Sequence, residues 1–422
     1  MAAAYIPKFI SFALNLTCMW KTIRNLMAGG LLAKVLTGVA NIMVINFLTK
    51  EDYASLANFQ FIQTLMSGLI FSPFLLSSVI GINLFEMRNM RRLFAALNFI
   101  QIGLVVGCFL LAIFFGEDSA SVLFKKPVFY YSLLLGLISS LFLTFQNIIL
   151  SGHQASESYG SYNLVNILRP VLLIFMLSLF YFTGRLTFFS AASCWLLSYA
   201  LAVGGDLKVI ADSLKWKGLG FRFRQFVWFW KSLKFLILFF FIRALLDHIA
   251  RFMVSRYFSV EDNASFGVAF QYYSMVDLVI YASHVAFMNI FTKEAPSVSR
   301  SKYFSWLKLT SIIALVGLMI LPFSEPLFVL INGQQYRDTF PVFCTFMSGT
   351  AFFLCFSPII YGVAAKKAFL PLLKLAALAF FWQVIITAFA SSQQSLVLMA
   401  AGCIGAQGII YLGSFILFVN RR

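Results

Sequence analysis

Charge is what this chain has least of. Asp, Glu, Lys and Arg make up 11% of its 422 residues, only 15 residues are acidic, and residues 93–116 hold no charged side chain at all. A soluble domain is charged at about a quarter of its positions, so this scarcity excludes one. Histidine is rarer still, with three residues. His153, His248 and His284 are too dispersed to share a metal, and none of the six cysteines lies in a C-x-x-C motif. Neither a metal centre nor a redox pair is expected, and the cysteines read as buried thiols. The sequence also lacks Walker A, G-x-S-x-G and H-E-x-x-H motifs, which removes P-loop ATP hydrolysis, the nucleophile elbow and zinc proteolysis. No catalytic residue and no cofactor is expected.

What the chain has instead is apolar surface. Hydrophobic residues make up 61% of it, including 51 phenylalanines, and the mean hydropathy is +0.89. A helix crosses roughly 30 Å of hydrocarbon with about 20 apolar residues. Runs between polar punctuation mark about twelve spans, near 25–48, 53–83, 93–115, 128–150, 159–183, 186–205, 235–257, 263–291, 303–322, 339–362, 368–390 and 396–419. They are continuous rather than alternating, which excludes a β-barrel. The expected fold is an all-α polytopic membrane protein. Residues 1–20 lack the basic start and cleavage site of a signal peptide; they read as an interfacial segment, or as sequence upstream of a start at Met19.

The 32 basic residues give a formal net charge of +17. In a soluble protein that excess would suggest nucleic acid; in a membrane protein it marks topology and contact with anionic lipid. Loops assigned to the inner side carry 20 of the 32, loops assigned outside carry six, and six lie within spans. Both termini are therefore expected in the cytoplasm. The longest polar stretch, 206–234, contains K-W-K-G-L-G-F-R-F-R-Q-F-V-W-F-W-K and reads as an interfacial elbow, or as a contact for a lipid headgroup. It separates an N-terminal lobe, 1–205, from a C-terminal lobe, 235–422.

An internal repeat supports two lobes. Residues 47–60 read F-L-T-K-E-D-Y-A-S-L-A-N-F-Q and residues 257–271 read Y-F-S-V-E-D-N-A-S-F-G-V-A-F-Q, placing Glu51-Asp52 and Glu261-Asp262 at an offset of 210. Each copy is the outer turn between the first two helices of its half. Six helices return the chain to its starting side, so the two six-helix lobes share orientation and are related by a pseudo-two-fold along the membrane normal.

With these stretches in view, the sequence resembles the multidrug/oligosaccharidyl-lipid/polysaccharide (MOP) exporter superfamily, and within it the Wzx-type flippases of O-antigen and other surface polysaccharides. G-G-L-L-A-K-V-L-T-G-V-A-N-I-M-V-I-N-F-L-T-K-E-D-Y-A-S-L looks like that family's first helix and outer turn, and R-F-M-V-S-R-Y-F-S-V-E-D-N-A-S-F-G-V-A-F-Q like its seventh. The likeness extends over nearly the whole chain. One position departs from it. Family members often carry Asp-Arg in the seventh helix; here the pair is Ala250-Arg251, with Asp247 and His248 one turn earlier.

Ionisable residues at mid-bilayer cost a few kcal/mol or more, and normally face a bundle interior or a wet cavity. Helix rise places Lys34, Arg169 and Arg243 about 13–16 Å from the inner ends of their spans, near the midplane. Lys308 and Lys374 lie close enough to the inner face to snorkel. Arg243, Asp247 and Arg251 share a helix face at i, i+4, i+8, and Asn41 corresponds to Arg251 by the repeat. Helices one, two, seven and eight line a cleft in the family, so the resemblance implies a polar, mainly cationic cleft. Its expected substrate-binding residues are Lys34, Arg243, Arg251, Arg169 and Asn41. The competing reading is that Asp247 neutralises Arg243 or Arg251 in a packed interior, that Lys34 pairs elsewhere, and that Arg169-Pro170 is a kink with a snorkelling cation. The spans hold six cations and only two carboxylates, Asp247 and Asp277, which favours an anionic ligand.

The expected function is a flippase carrying an undecaprenyl-diphosphate-linked oligosaccharide from the cytoplasmic to the periplasmic leaflet of a bacterial inner membrane by alternating access. The lipid identity comes from the resemblance, the anionic preference from the residues. Asp247, Asp277 and His284 are candidates for proton or sodium coupling, a packed role being equally open. Expected partners are the lipid-linked oligosaccharide, membrane lipids and polysaccharide assembly proteins, with no nucleic acid. Two alternatives stand beside this: an ion-coupled organic-cation exporter, which would place acids where this chain has bases, and a membrane polysaccharide polymerase or ligase, which would need a larger outer loop.

Overall fold

The computed structural model describes residues 29–30, 32–68, 73, 91–155, 158–206, 223–293 and 296–420. Every regular element among them is helical. The N-terminal lobe holds α1 (Leu32–Phe47), α2 (Lys50–Gly68), α3 (Arg91–Phe115), α4 (Glu117–Phe124), α5 (Tyr130–Ala155), α6 (Tyr159–Phe182) and α7 (Phe188–Gly204). The C-terminal lobe holds α8 (Phe223–Tyr257), α9 (Val260–Lys293), α10 (Pro296–Ile320), α11 (Glu325–Asn332), α12 (Phe340–Phe356), α13 (Ile359–Ala365), α14 (Phe369–Ser392) and α15 (Leu396–Asn420). Each expected span overlaps a helix among the described residues, the first from residue 29 on, the second only to Gly68, and 339–362 divided between α12 and α13. Six stretches among the described residues can cross a membrane on length and composition alone, or seven if α3 and α4 form one bent span; α1 and α7 are apolar but shorter.

Buried apolar residues fall into two large clusters. One lies wholly within 233–418, from Leu233 on α8 to Phe418 on α15. The other gathers Ala40, Phe59, Phe129, Leu173 and Trp195 of the N-terminal lobe, and also takes in Ala264, Val268, Phe328 and Tyr336 from the C-terminal half. Phe114, Phe175, Phe182, Leu330 and Ile385 remain exposed, as expected where lipid covers the outside of a bundle.

The repeated acidic turns are helix starts. Ser259 and Asp262 form a capping box at α9, the Ser259 Oγ accepting from the Asp262 amide at 3.0 Å and the Asp262 carboxylate accepting from the Ser259 amide at 3.3 Å. At α2 the Thr49 hydroxyl accepts from the Asp52 amide at 3.2 Å. The two helices they start then cross closely. A Cβ on Gly267 would lie 2.8 Å from that of Ala57, so only glycine lets α9 approach α2 this far.

Three features depart from the span pattern. The chain turns 109° between the apolar part of α3 and α4, at Gly116. The helix carrying the seventh span starts at Phe223, twelve residues before 235, so the end of the basic central segment is helical. At 35 residues, or about 52 Å, α8 outruns the hydrocarbon core. The connection between the spans expected at 303–322 and 339–362 contains α11 between two 3-10 turns.

Candidate substrate cleft between the lobes

At the rim the lobes are joined by two clasps. Asn46, at the end of α1, donates to the Ile331 carbonyl near the C-terminus of α11 at 2.6 Å, and Gln335 just beyond α11 donates back to the Ile45 carbonyl at 3.4 Å. Arg256, at the end of α8, donates to the Val122 and Leu123 carbonyls at the C-terminus of α4 at 2.5 and 2.6 Å. Lys126, just beyond α4, donates back to the Ser255 carbonyl at 2.5 Å. Asn46 and Arg256 are 210 residues apart, as are Ile45 and Ser255, so the clasps are equivalent by the repeat. Each satisfies carbonyls that a helix end leaves open. Burial lowers the Lys126 ammonium to about 8, against the opposing pull of Asp262.

Inward from the rim the seam continues through polar contacts in apolar surroundings. Asn263 donates to the Ala54 carbonyl at 3.2 Å and accepts from Ser255 at 3.1 Å. Arg251 is only 9% exposed. It donates to the Ala57 carbonyl at 2.7 Å, with the Phe270 and Phe61 ring centroids at 4.8 and 5.3 Å from its guanidinium. Deeper still, Asn41 donates to Gln271 at 2.9 Å, Gln271 to Gln60, and Gln60 to Asn41 at 3.4 Å. The three amides close a ring joining α1, α2 and α9.

The next layer carries the cations. Lys34 sits seven residues inward of Asn41, about 10 Å along α1 and only about 20° away around it. Gly38 lies between them, and Met275 of α9 occupies the space beside it, 3.2 Å from where its Cβ would be. The stripe Lys34, Gly38, Asn41 therefore faces the opposite lobe, and the Lys34 side chain is exposed. On α8 the expected stripe divides, because each step of four residues turns about 40°. Arg251 points across the seam, whereas Asp247 accepts from Gln407 at 2.8 Å and Arg243 donates to the Tyr411 hydroxyl at 2.9 Å, both on α15 of its own lobe. In the N-terminal lobe Arg169 donates to the Tyr199 hydroxyl and to Thr37 at 2.8 Å, its guanidinium 4.6 Å from the Tyr199 ring centroid. Each lobe thus holds an arginine on a tyrosine from its last helix and ties that helix to its first.

The structure brings Asn41 and Arg251 into the closed seam rather than an open cleft, where the opposite lobe occupies their hydrogen bonds. Lys34, Arg169 and Arg243 lie inward of that seal. The side chains of Asp277 and His284 lie outside the described residues. Among the described residues no group of three His, Cys, Asp or Glu could hold a metal. Tyr199, Tyr411, Gln407 and the residues of both clasps were not singled out from the sequence. The clasps had one available signal, since α4 and α11 are both eight residues long and both start on glutamate.

No family model matches the sequence, and no curated protein matches it. Solved structures do. The lipid II flippase MurJ in an inward closed conformation aligns with a TM-score of 0.68 at 14% identity, over 94% of this chain and 87% of that one. This chain has the fold of the MOP-superfamily transporters. A MOP superfamily transporter from Pyrococcus furiosus, described as having a binding pocket of reverse polarity, aligns with a TM-score of 0.63 at 15% identity, over 94% of both chains. An inward-facing multidrug resistance MATE family transporter of the MOP superfamily gives 0.62 at 13% identity, over 92% of this chain and 94% of that one. The MOP fold fits the two lobes and accounts for α1, α2, α8 and α9 meeting along one seam.

Proposed function

We propose that this MOP-fold chain is a flippase for an undecaprenyl-diphosphate-linked oligosaccharide, moving it from the cytoplasmic to the periplasmic leaflet of a bacterial inner membrane by alternating access. The observation that carries this reading is the pair of half-buried arginines, Arg169 and Arg243, each held on a tyrosine of its own lobe inward of a seam sealed at the rim. Lys34, on the α1 stripe that faces the opposite lobe, stands at the same level, so three cations gather in this layer beside Asp247 among the described side chains. Cations gathered at one level of the hydrocarbon layer favour an anionic ligand, and a lipid diphosphate supplies two phosphate groups. The fold likeness to a lipid II flippase supports a lipid-linked substrate. The chemistry is transport rather than catalysis, with Asp247, Asp277 and His284 as the coupling candidates and polysaccharide assembly proteins as partners.

The test is flipping of a fluorescent undecaprenyl-diphosphate oligosaccharide in proteoliposomes. Lys34→Ala and Arg243→Ala should lose at least about tenfold in rate at normal insertion, Lys34→Arg should keep part of it, and Arg243→Glu should be worse than alanine. Wild-type rates in all four would remove the anionic-substrate argument. The proposed topology puts both termini and the central segment in the cytoplasm; labelling of Lys217→Cys by an impermeant reagent outside whole cells would reverse it.

A further inference from the structure

The ring of Asn41, Gln60 and Gln271 is built so that its members depend on one another. Each amide donates one hydrogen bond to the next and accepts one from the last. Asn41 and Gln60 are 5% and 7% exposed. Gln60 and Gln271 end the two repeated segments, so the ring straddles the axis that relates the lobes. It also lies one helical turn inward of Gly267, where α2 and α9 are closest. The lobes cannot part at that level without breaking it, and in an apolar seam a broken amide finds no replacement partner.

We infer that the ring is the inner bolt of the lobe seam, holding the two lobes together only as a complete set of three. This rests on the reading of the chain as a transporter whose lobes separate. A bolt of this kind has an unusual signature. Removing one member strands the polar groups of the other two in the seam, and should favour the parted state by about tenfold or more. Replacing all three by leucine leaves nothing stranded and matches the apolar walls, so the seam should close again. Ordinary packing contacts behave the other way, each further substitution loosening the seam more.

The measurement is thiol labelling of Val268→Cys in the full chain in lipid nanodiscs. Val268 is on α9, fully buried, and packed into the N-terminal lobe's cluster, so its reagent access reports lobe contact and not transport. N-ethylmaleimide incorporation is located by peptide mass. Cys194 and Cys403, buried one in each lobe, serve as folding controls. In that background Gln271→Leu and Gln60→Leu should label position 268 at least about tenfold faster, and Asn41→Leu/Gln60→Leu/Gln271→Leu at the parent rate or slower. Single variants at the parent rate, or a triple variant as fast as the singles, would overturn the inference. It is equally overturned if the single variants expose Cys194 or Cys403 while the triple does not, because the ring would then be holding the inside of a lobe. Wild-type flipping by Lys34→Ala and Arg243→Ala, with the seam labelling as expected, would count against the substrate reading alone.

Discussion

Across the rim of the seam, Asn46 and Gln335 do with neutral amides what Arg256 and Lys126, at the equivalent place in the repeat, do with cations. Both clasps bind the last carbonyls of an eight-residue helix and of the first helix of a lobe. The shared geometry therefore asks only for donors at helix C-termini. A guanidinium such as Arg256 adds attraction to the negative end of the helix, about 0.3–1 kcal/mol at an exposed site, whereas burial disfavours the charge of Lys126. It also makes the contact responsive to salt and pH. One half of the seal is thus insensitive to its surroundings and the other is not.

Breaking the cationic clasp should have the larger effect. Arg256→Ala/Lys126→Ala removes three hydrogen bonds to carbonyls and the favourable Arg256 charge beside a helix end, and is expected to destabilise closure by about 2 kcal/mol. Asn46→Ala/Gln335→Ala should cost about 1 kcal/mol, since its bonds are neutral and one is long at 3.4 Å. Reagent access to a cysteine at 268 measures both. Equal effects would mean that charge contributes nothing. Exchanging chemistry sharpens the comparison further: Arg256→Asn/Lys126→Gln should keep most of the closure while losing its dependence on salt concentration.

The smallest expected effect is on pH. Burial holds Lys126 at about 8 in the clasp, with Asp262 as the charged group opposing the shift, whereas a released lysine in water titrates near 10.4. Below about pH 8 both forms are protonated and closure is flat with pH. Above it the released form binds a proton that the clasped form lacks, so closure should strengthen as pH rises towards that of free lysine. Lys126→Gln should remove this dependence. A closure that weakens between pH 8 and 10 would contradict the assignment.

Much of this fold was legible because hydrocarbon leaves little choice. Continuous apolar runs had to be helices, and the offset between Glu51-Asp52 and Glu261-Asp262 fixed the two-lobe plan. Individual side-chain directions were less legible. Arg243, Asp247 and Arg251 share a face by spacing, yet a drift of about 40° per four residues sends Arg251 across the seam and the other two to α15. Gln60 and Gln271 stand in the sequence only as the shared last letters of the repeat, because their partnership depends on how two lobes dock. The α11 segment lay between expected spans because eight residues, about two turns, carry too little periodicity to distinguish a clasp from a span end.

The most direct test of the central claim is binding rather than flipping. Native mass spectrometry of the detergent-solubilised chain, with undecaprenyl diphosphate and undecaprenol in competition, separates attraction to phosphate from attraction to the lipid tail. The account predicts clear preference for the diphosphate, reduced about tenfold or more by Lys34→Ala and left unchanged by Asn46→Ala. Equal binding of the two lipids, or a preference that survives Lys34→Ala/Arg243→Ala, would contradict it.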